Sequence, residues 1–166
     1  PVSLDDHINL RSLTLNRCHL DRLPQFPPCL SRLCIKNTSL PAANLQMIVE
    51  SRTLTNVQLD LHHKLSVRPT ISHLHPSINR IAHLAVNYIS LNDIIALLPH
   101  LSHLKSLHLS LFGTSSEPIR HFSPVPTVTR LTCLSMGLPF DQLCSQFLSV
   151  YFPHVQNLSI FTSYVD

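Results

Sequence analysis

The stretch LRSLTLNRCHL (residues 10–20) places Leu10, Leu13, Leu15, Cys18 and Leu20 in the order L-x-x-L-x-L-x-x-C-x-L. LSRLCIKNTSL (30–40) repeats that order with Thr38 where the first unit has Cys18. Outward from this pair the central triplet recurs in LTNVQL (54–59), IAHLAV (81–86), LKSLHL (104–109), LTCLSM (131–136) and VQNLSI (155–160). The seven middle residues are Leu13, Leu33, Val57, Leu84, Leu107, Leu134 and Leu158, spaced by 20, 24, 27, 23, 27 and 24. Leu, Ile, Val and Met make up about a third of the chain, so roughly five such triplets arise by chance in this length. Chance does not supply the even spacing, nor leucine at six of seven middle positions. Nor does it supply an apolar residue ten places after the first at Leu20, Leu40, Leu91 and Val165. A period in this range reads as a stacked repeat.

The physics of the pattern gives the fold. In x-L-x-L-x a short strand turns both apolar residues to one side and the flanking residues to the other. One unit cannot bury its own apolar face, so each covers its neighbour's, and the stacked strands form one continuous parallel sheet. The expected architecture is therefore an α/β solenoid, a single domain over residues 1–166 with about seven repeats. At about 4.8 Å per strand the sheet spans roughly 29 Å.

The connections differ along the chain. LDRLPQFPP (20–28) holds Pro24, Pro27 and Pro28, which fix φ and remove donors, so this return is extended rather than helical. LPAANLQMIVESR (40–52), SLNDIIALLPHL (90–101) and PFDQLCSQFLSVYF (139–152) carry apolar residues at three- and four-residue steps and read as helices. Ser90 with Asp93 forms an N-terminal capping pattern, and Pro99 and Pro153 mark stops. Two stretches, 60–77 and 112–127, fit neither template and read as loops, second-choice binding segments on a rigid scaffold.

Composition excludes whole classes of function. Charged residues are 13% of the 166, about half the usual share, so the surface relies on Ser, Thr, Asn, Gln and His. Twelve Lys and Arg against nine Asp and Glu give +3, scattered singly without a basic stripe, which argues against nucleic acid. Gly113 and Gly137 are the only glycines, so a phosphate loop, a dinucleotide fingerprint and a GxSxG elbow are impossible. Five cysteines with no CxxC, several inside apolar patterns, point to free thiols and a reducing compartment, hence a cytoplasmic or nuclear location. No apolar run is long enough to span a membrane. The chain starts at Pro1, and the strands at Leu13 and Leu158 have no visible caps, so flanking repeats are expected.

Candidate functional residues are the outward ones. The triplet phase turns out Asn16, Arg32, Lys36, Gln58, Asp60, His83, Asn87, His108, Ser135, Asn157 and Phe161, and it places Cys133 and Gly137 outward as well. These form the expected protein-binding set, with Arg32, His83, His108 and Phe161 as its anchors. The twelve histidines invite a metal reading at His62-His63, His73-x-His75 and His100-x-x-His103. No cluster has a nearby acidic or Cys partner to complete a tetrahedral set, so no metal and no cofactor is expected. Protonation of all twelve would raise the charge from +3 to +15, which makes binding or solubility sensitive to pH between 5 and 7. Cys34 or Cys133 beside a histidine lacks an orienting group and an oxyanion donor, so no enzyme is expected. The N-x-S/T sequences at Asn37 and Asn157 read as coincidence, the second because it falls within a strand.

Over nearly its whole length the chain resembles a leucine-rich-repeat protein. Its irregular units of 23 to 27 residues with helical returns are similar to the repeat region of intracellular F-box-type proteins, whereas LPQFPPCLSRLCI (23–35) resembles the short repeats of some bacterial effectors. The resemblance implies recognition of a protein partner by the concave face of a horseshoe. In the F-box case it implies substrate recognition for a cullin-type ubiquitin ligase through an adaptor bound upstream. The alternative is an extracellular or effector-type recognition module.

Overall fold

The computed structural model describes residues 4, 7–18, 21–61, 79–112, 127–136, 147–148 and 150–163. Seven strands follow in chain order: β1 (Ser12–Asn16), β2 (Arg32–Thr38), β3 (Asn56–Leu61), β4 (His83–Ile89), β5 (Ser106–Phe112), β6 (Arg130–Met136) and β7 (Asn157–Ser163). They form one parallel sheet in the order β1-β2-β3-β4-β5-β6-β7. The chain is thus α/β with each strand laid beside the last, a solenoid-like arrangement.

The register is set where each strand begins. The carbonyl of Arg11 accepts from the N–H groups of Ser31 and Arg32, that of Ser31 from Thr55 and Asn56, and that of Thr55 from Ala82 and His83. The pattern continues through Ala82, Lys105 and Thr129 to Gln156 and Asn157. Hydroxyls reinforce it, with Ser31 Oγ donating to Arg11 O and Thr55 Oγ1 to Ser31 O. The same bifurcated acceptor at every step gives each repeat the same start, whatever the length of its return.

This register corrects the phase of the sixth unit. Leu107 and Leu109 of β5 pair with Leu131 and Cys133, so the inward pair of β6 is Leu131 and Cys133 rather than Leu134 and Met136. Cys133 is 3% exposed and belongs to the core, so its outward assignment was wrong. Val128, fully buried, fills the leading apolar position that the triplet had given to Leu131. Spacing alone admits both phases, because apolar residues stand at 128, 131 and 134 alike. Hydrogen bonds from Thr129 and Arg130 to Lys105 O decide between them.

Strand exits come in two forms. In β3 and β5 the alternation continues into buried Leu61 and Leu111. In β2 and β4 one extra residue, Asn37 at φ 51° and Tyr88 at φ 55°, takes the left-handed region and shifts the register, returning Thr38 and Ile89 to the core. Arg17, just after β1, also lies in the left-handed region at φ 51°. A non-glycine residue there costs about 1 kcal/mol, and each of these bulges is offset by burying the residue that follows or by a bond between repeats. Thr38 Oγ1 accepts from Cys18 N at 3.3 Å and donates to Lys36 O at 2.9 Å, so the Cys/Thr position of the repeat ties one turn to the next.

The described parts of the returns pack against one face of the sheet. Residues 21–30 run without a helix, as three prolines require, and Leu23 N donates to the buried Oδ1 of Asn44 at 2.8 Å. Helix α1 (Ala42–Val49) buries Leu45, Ile48 and Val49. Helix α2 (Leu91–Leu97) begins at Ser90, whose Oγ accepts from Asp93 N at 3.1 Å, and continues into a short 3-10 turn, Leu98–His100, that accommodates Pro99. Phe147, Leu148, Val150 and Tyr151 are helical, and Phe147 packs edge-on against Phe152 at 5.3 Å between centroids. The remainder of the helix expected over 139–152 lies outside the described residues, as do 62–77 and 113–126 of the two expected loops. Strand and helix residues share one hydrophobic core. Each fully buried leucine in it contributes about 1.5–3 kcal/mol.

Candidate functional site

The opposite face of the sheet has no described element packed on it, and three rows of side chains cross it. The row nearest the strand starts runs Ser12, Arg32, Asn56, His83, Ser106, Arg130, Asn157 in register. The middle row runs Thr14, Cys34, Gln58, Ala85, His108, Thr132, Ser159. The row at the strand exits holds Asn16, Lys36 and Asp60 on one side and Ser110, Leu134 and Phe161 on the other, with Asn87 between. Ten of the eleven residues expected on the binding face thus lie on these rows. The eleventh, Ser135, holds the register position of the buried Leu111 and follows from the corrected phase of β6.

At the centre of this face Gln58, Leu59, Asp60, Ala85, Val86, Asn87, His108 and Ser110 line an open hollow of about 240 Å³. Its origin is one small residue. Ala85 stands in register between Gln58 and His108, so a methyl group forms the floor where longer side chains form the walls. The volume is below the roughly 300–1,000 Å³ of enclosed small-molecule sites. It is the size for one or two side chains of a larger ligand.

Asn87 ties together the two strands beside the hollow. The ladder between β3 and β4 ends at Leu59 and Val86, and beyond it Asn87 Oδ1 accepts from Leu61 N at 2.6 Å while its Nδ2 donates to Asp60 Oδ1. The amide thus replaces the backbone bonds that the bulge at Tyr88 removes. Asn16 acts alike across β1 and β2, its Oδ1 accepting from Asn37 Nδ2 at 3.1 Å. Both asparagines were expected to contact a ligand. Their polar groups also join neighbouring repeats and hold Asp60 and its surroundings in place, a role that a strand pattern does not reveal. The Asn37 side chain, read as a chance glycan sequence, is engaged in the same bond.

The charges are sorted by the fold. Arg11 and Lys105 stand exposed just before β1 and β5, and Arg32 and Arg130 are exposed on β2 and β6, with His83 between them. No carboxylate occurs in the seven-residue row at the strand starts, nor among the residues that immediately precede it. These cations are far apart in sequence, which is why no basic stripe was legible there. Asp60 is the one carboxylate of the three rows.

His83 and His108 are diagonal neighbours on β4 and β5, since His83 pairs with Ser106 and Ala85 with His108. Among the described residues no group of three or more His, Cys, Asp or Glu is placed to hold a metal. Cys18, Cys29, Cys34 and Cys133 are in no disulfide. No described helix is long and apolar enough to cross a membrane. Comparison with family models, with curated proteins and with solved structures finds no match to this chain.

Proposed function

We propose that the chain is a leucine-rich-repeat recognition module whose open, concave sheet face binds another protein. The observation that carries this reading is the hollow at Gln58, Ala85, Asn87 and His108, set in a largely polar face of the sheet. A face of this composition, with few anchors among many small polar groups, suits a protein surface better than a buried small molecule. The helical returns and 23- to 27-residue units favour the repeat region of an F-box-type protein, holding a substrate for a cullin-type ubiquitin ligase. Four cysteines outside any disulfide favour a reducing, cytoplasmic or nuclear setting over the extracellular or effector-type alternative.

The test is capture from native cell extract by this chain and by the double variant His83→Glu with His108→Glu, read by mass spectrometry. One protein retained by the parent and lost from the variant is the expected result. Identical captures from both forms would overturn the assignment of the site to this face.

A further inference from the structure

We infer that the strand-start half of the open face binds an extended acidic peptide laid across the strands, with a carboxylate at every third residue. The inference rests on the recognition reading above and specifies the partner's chemistry.

The argument is one of spacing and sign. Arg32, His83 and Arg130 occupy one register row on alternate strands, β2, β4 and β6. Two strand intervals are about 10 Å, and three residues of a polyproline-II chain span about 9 Å and bring the side chain back to the same face. A peptide crossing the sheet therefore meets a cationic or imidazole group at positions i, i+3 and i+6. Asn56 and Ser106, which lie between them in the same row, offer neutral hydrogen-bonding groups to the intervening residues. Arg11 and Lys105 add positive charge along the same edge.

None of these cations is engaged by a described residue. Arg11, Arg32, Lys105 and Arg130 make no side-chain hydrogen bond or ion pair with one, and neither row at this edge contains a carboxylate. Four of the chain's twelve Lys and Arg thus gather where no acid among the described residues answers them. An array of like charges raises the local potential and selects a ligand of opposite sign. Single-stranded nucleic acid is the less favoured ligand, because these rows carry no Phe, Tyr or Trp on which bases would stack.

The experiment titrates the protein at low salt with two fluorescent nine-residue peptides of identical composition. One carries Glu at positions 2, 5 and 8, the other three adjacent Glu. The spaced peptide is expected to bind at least about tenfold more tightly, and Arg32→Glu with Arg130→Glu to lose that binding. The same double variant should bind a peptide with Lys at 2, 5 and 8, which shows that it remains folded. Arg22→Glu with Arg52→Glu, an equal charge change at exposed sites in the return segments, should leave the spaced peptide bound. Equal affinity for the two acidic peptides, absence of binding, or equal losses in both double variants would overturn the inference. Tighter binding of a single-stranded oligonucleotide than of the spaced peptide would also overturn it, in favour of a phosphate chain. If the peptides fail while His83→Glu with His108→Glu still loses a captured protein, recognition by the face stands and only this partner chemistry falls.

Discussion

At the residue scale, the polar groups inside the fold have distinct duties. Asn44 is fully buried, its Oδ1 accepting from Leu23 N while its Nδ2 has no hydrogen-bond partner. Asn79 is buried beside the 3-10 turn, its Nδ2 donating to the carbonyl of His100. His100 itself has an unpartnered buried Nδ1, and desolvation by burial holds its pKa below the ordinary 6.5. The folded state therefore prefers the neutral imidazole. Its stabilising contribution is full above about pH 6.5 and is lost as pH falls through the lowered folded value, where the unfolded chain binds more protons. Melting temperatures at pH 7 and pH 5 should fall further for the parent than for His100→Phe, which keeps a ring and removes the titration. The other eleven histidines are common to both proteins, so equal falls would show that burial of His100 does not couple to stability.

At the scale of the element, strand and cap signals were legible where their chemistry is local. Ser90 caps α2 as its spacing to Asp93 indicates, an interaction of about 1 kcal/mol. Pro24, Pro27 and Pro28 gave a return without a helix because proline acts on its own residue and its immediate neighbours. The sixth strand was not legible to the residue, since the choice between Leu131 and Leu134 as the middle apolar position is made by β5. A pair of lysine substitutions reads the phase directly. Cys133→Lys puts an ammonium into the core and should abolish the cooperative melt, whereas Thr132→Lys, beside His108 on the open face, should move the melting temperature by only a few degrees. The opposite order would restore the triplet phase read from spacing.

At the scale of the whole molecule, stability is distributed along a line of repeats, each touching only its neighbours. Leu107 of β5 is covered from both sides, whereas its counterpart Leu158 of β7 is 49% exposed and Leu13 of β1 only half-buried. Phe161 on the other face of β7 is 57% exposed beside Leu134. Truncation should therefore cost about 2–5 kcal/mol for Leu107→Ala and under about 1 kcal/mol for Leu158→Ala, by denaturant titration. Equal costs would mean that the terminal strand is buried in solution by contacts beyond those of the repeat stack.

By itself the sequence determined the period, and with it the number of strands, their parallel order and the inward leucines of six units. Those follow from alternation within a strand and from the need of each unit to cover its neighbour's apolar face, which any seven-fold run of this pattern shares. Tertiary structure alone decided the phase of β6, the left-handed exits at Asn37 and Tyr88, and the conversion of Asn16 and Asn87 into ties between repeats. It also gathered Arg11, Arg32, Lys105 and Arg130 onto one edge. Each of these depends on hydrogen bonds or register with residues at least twenty positions away, and a local pattern carries no information about a partner at that distance.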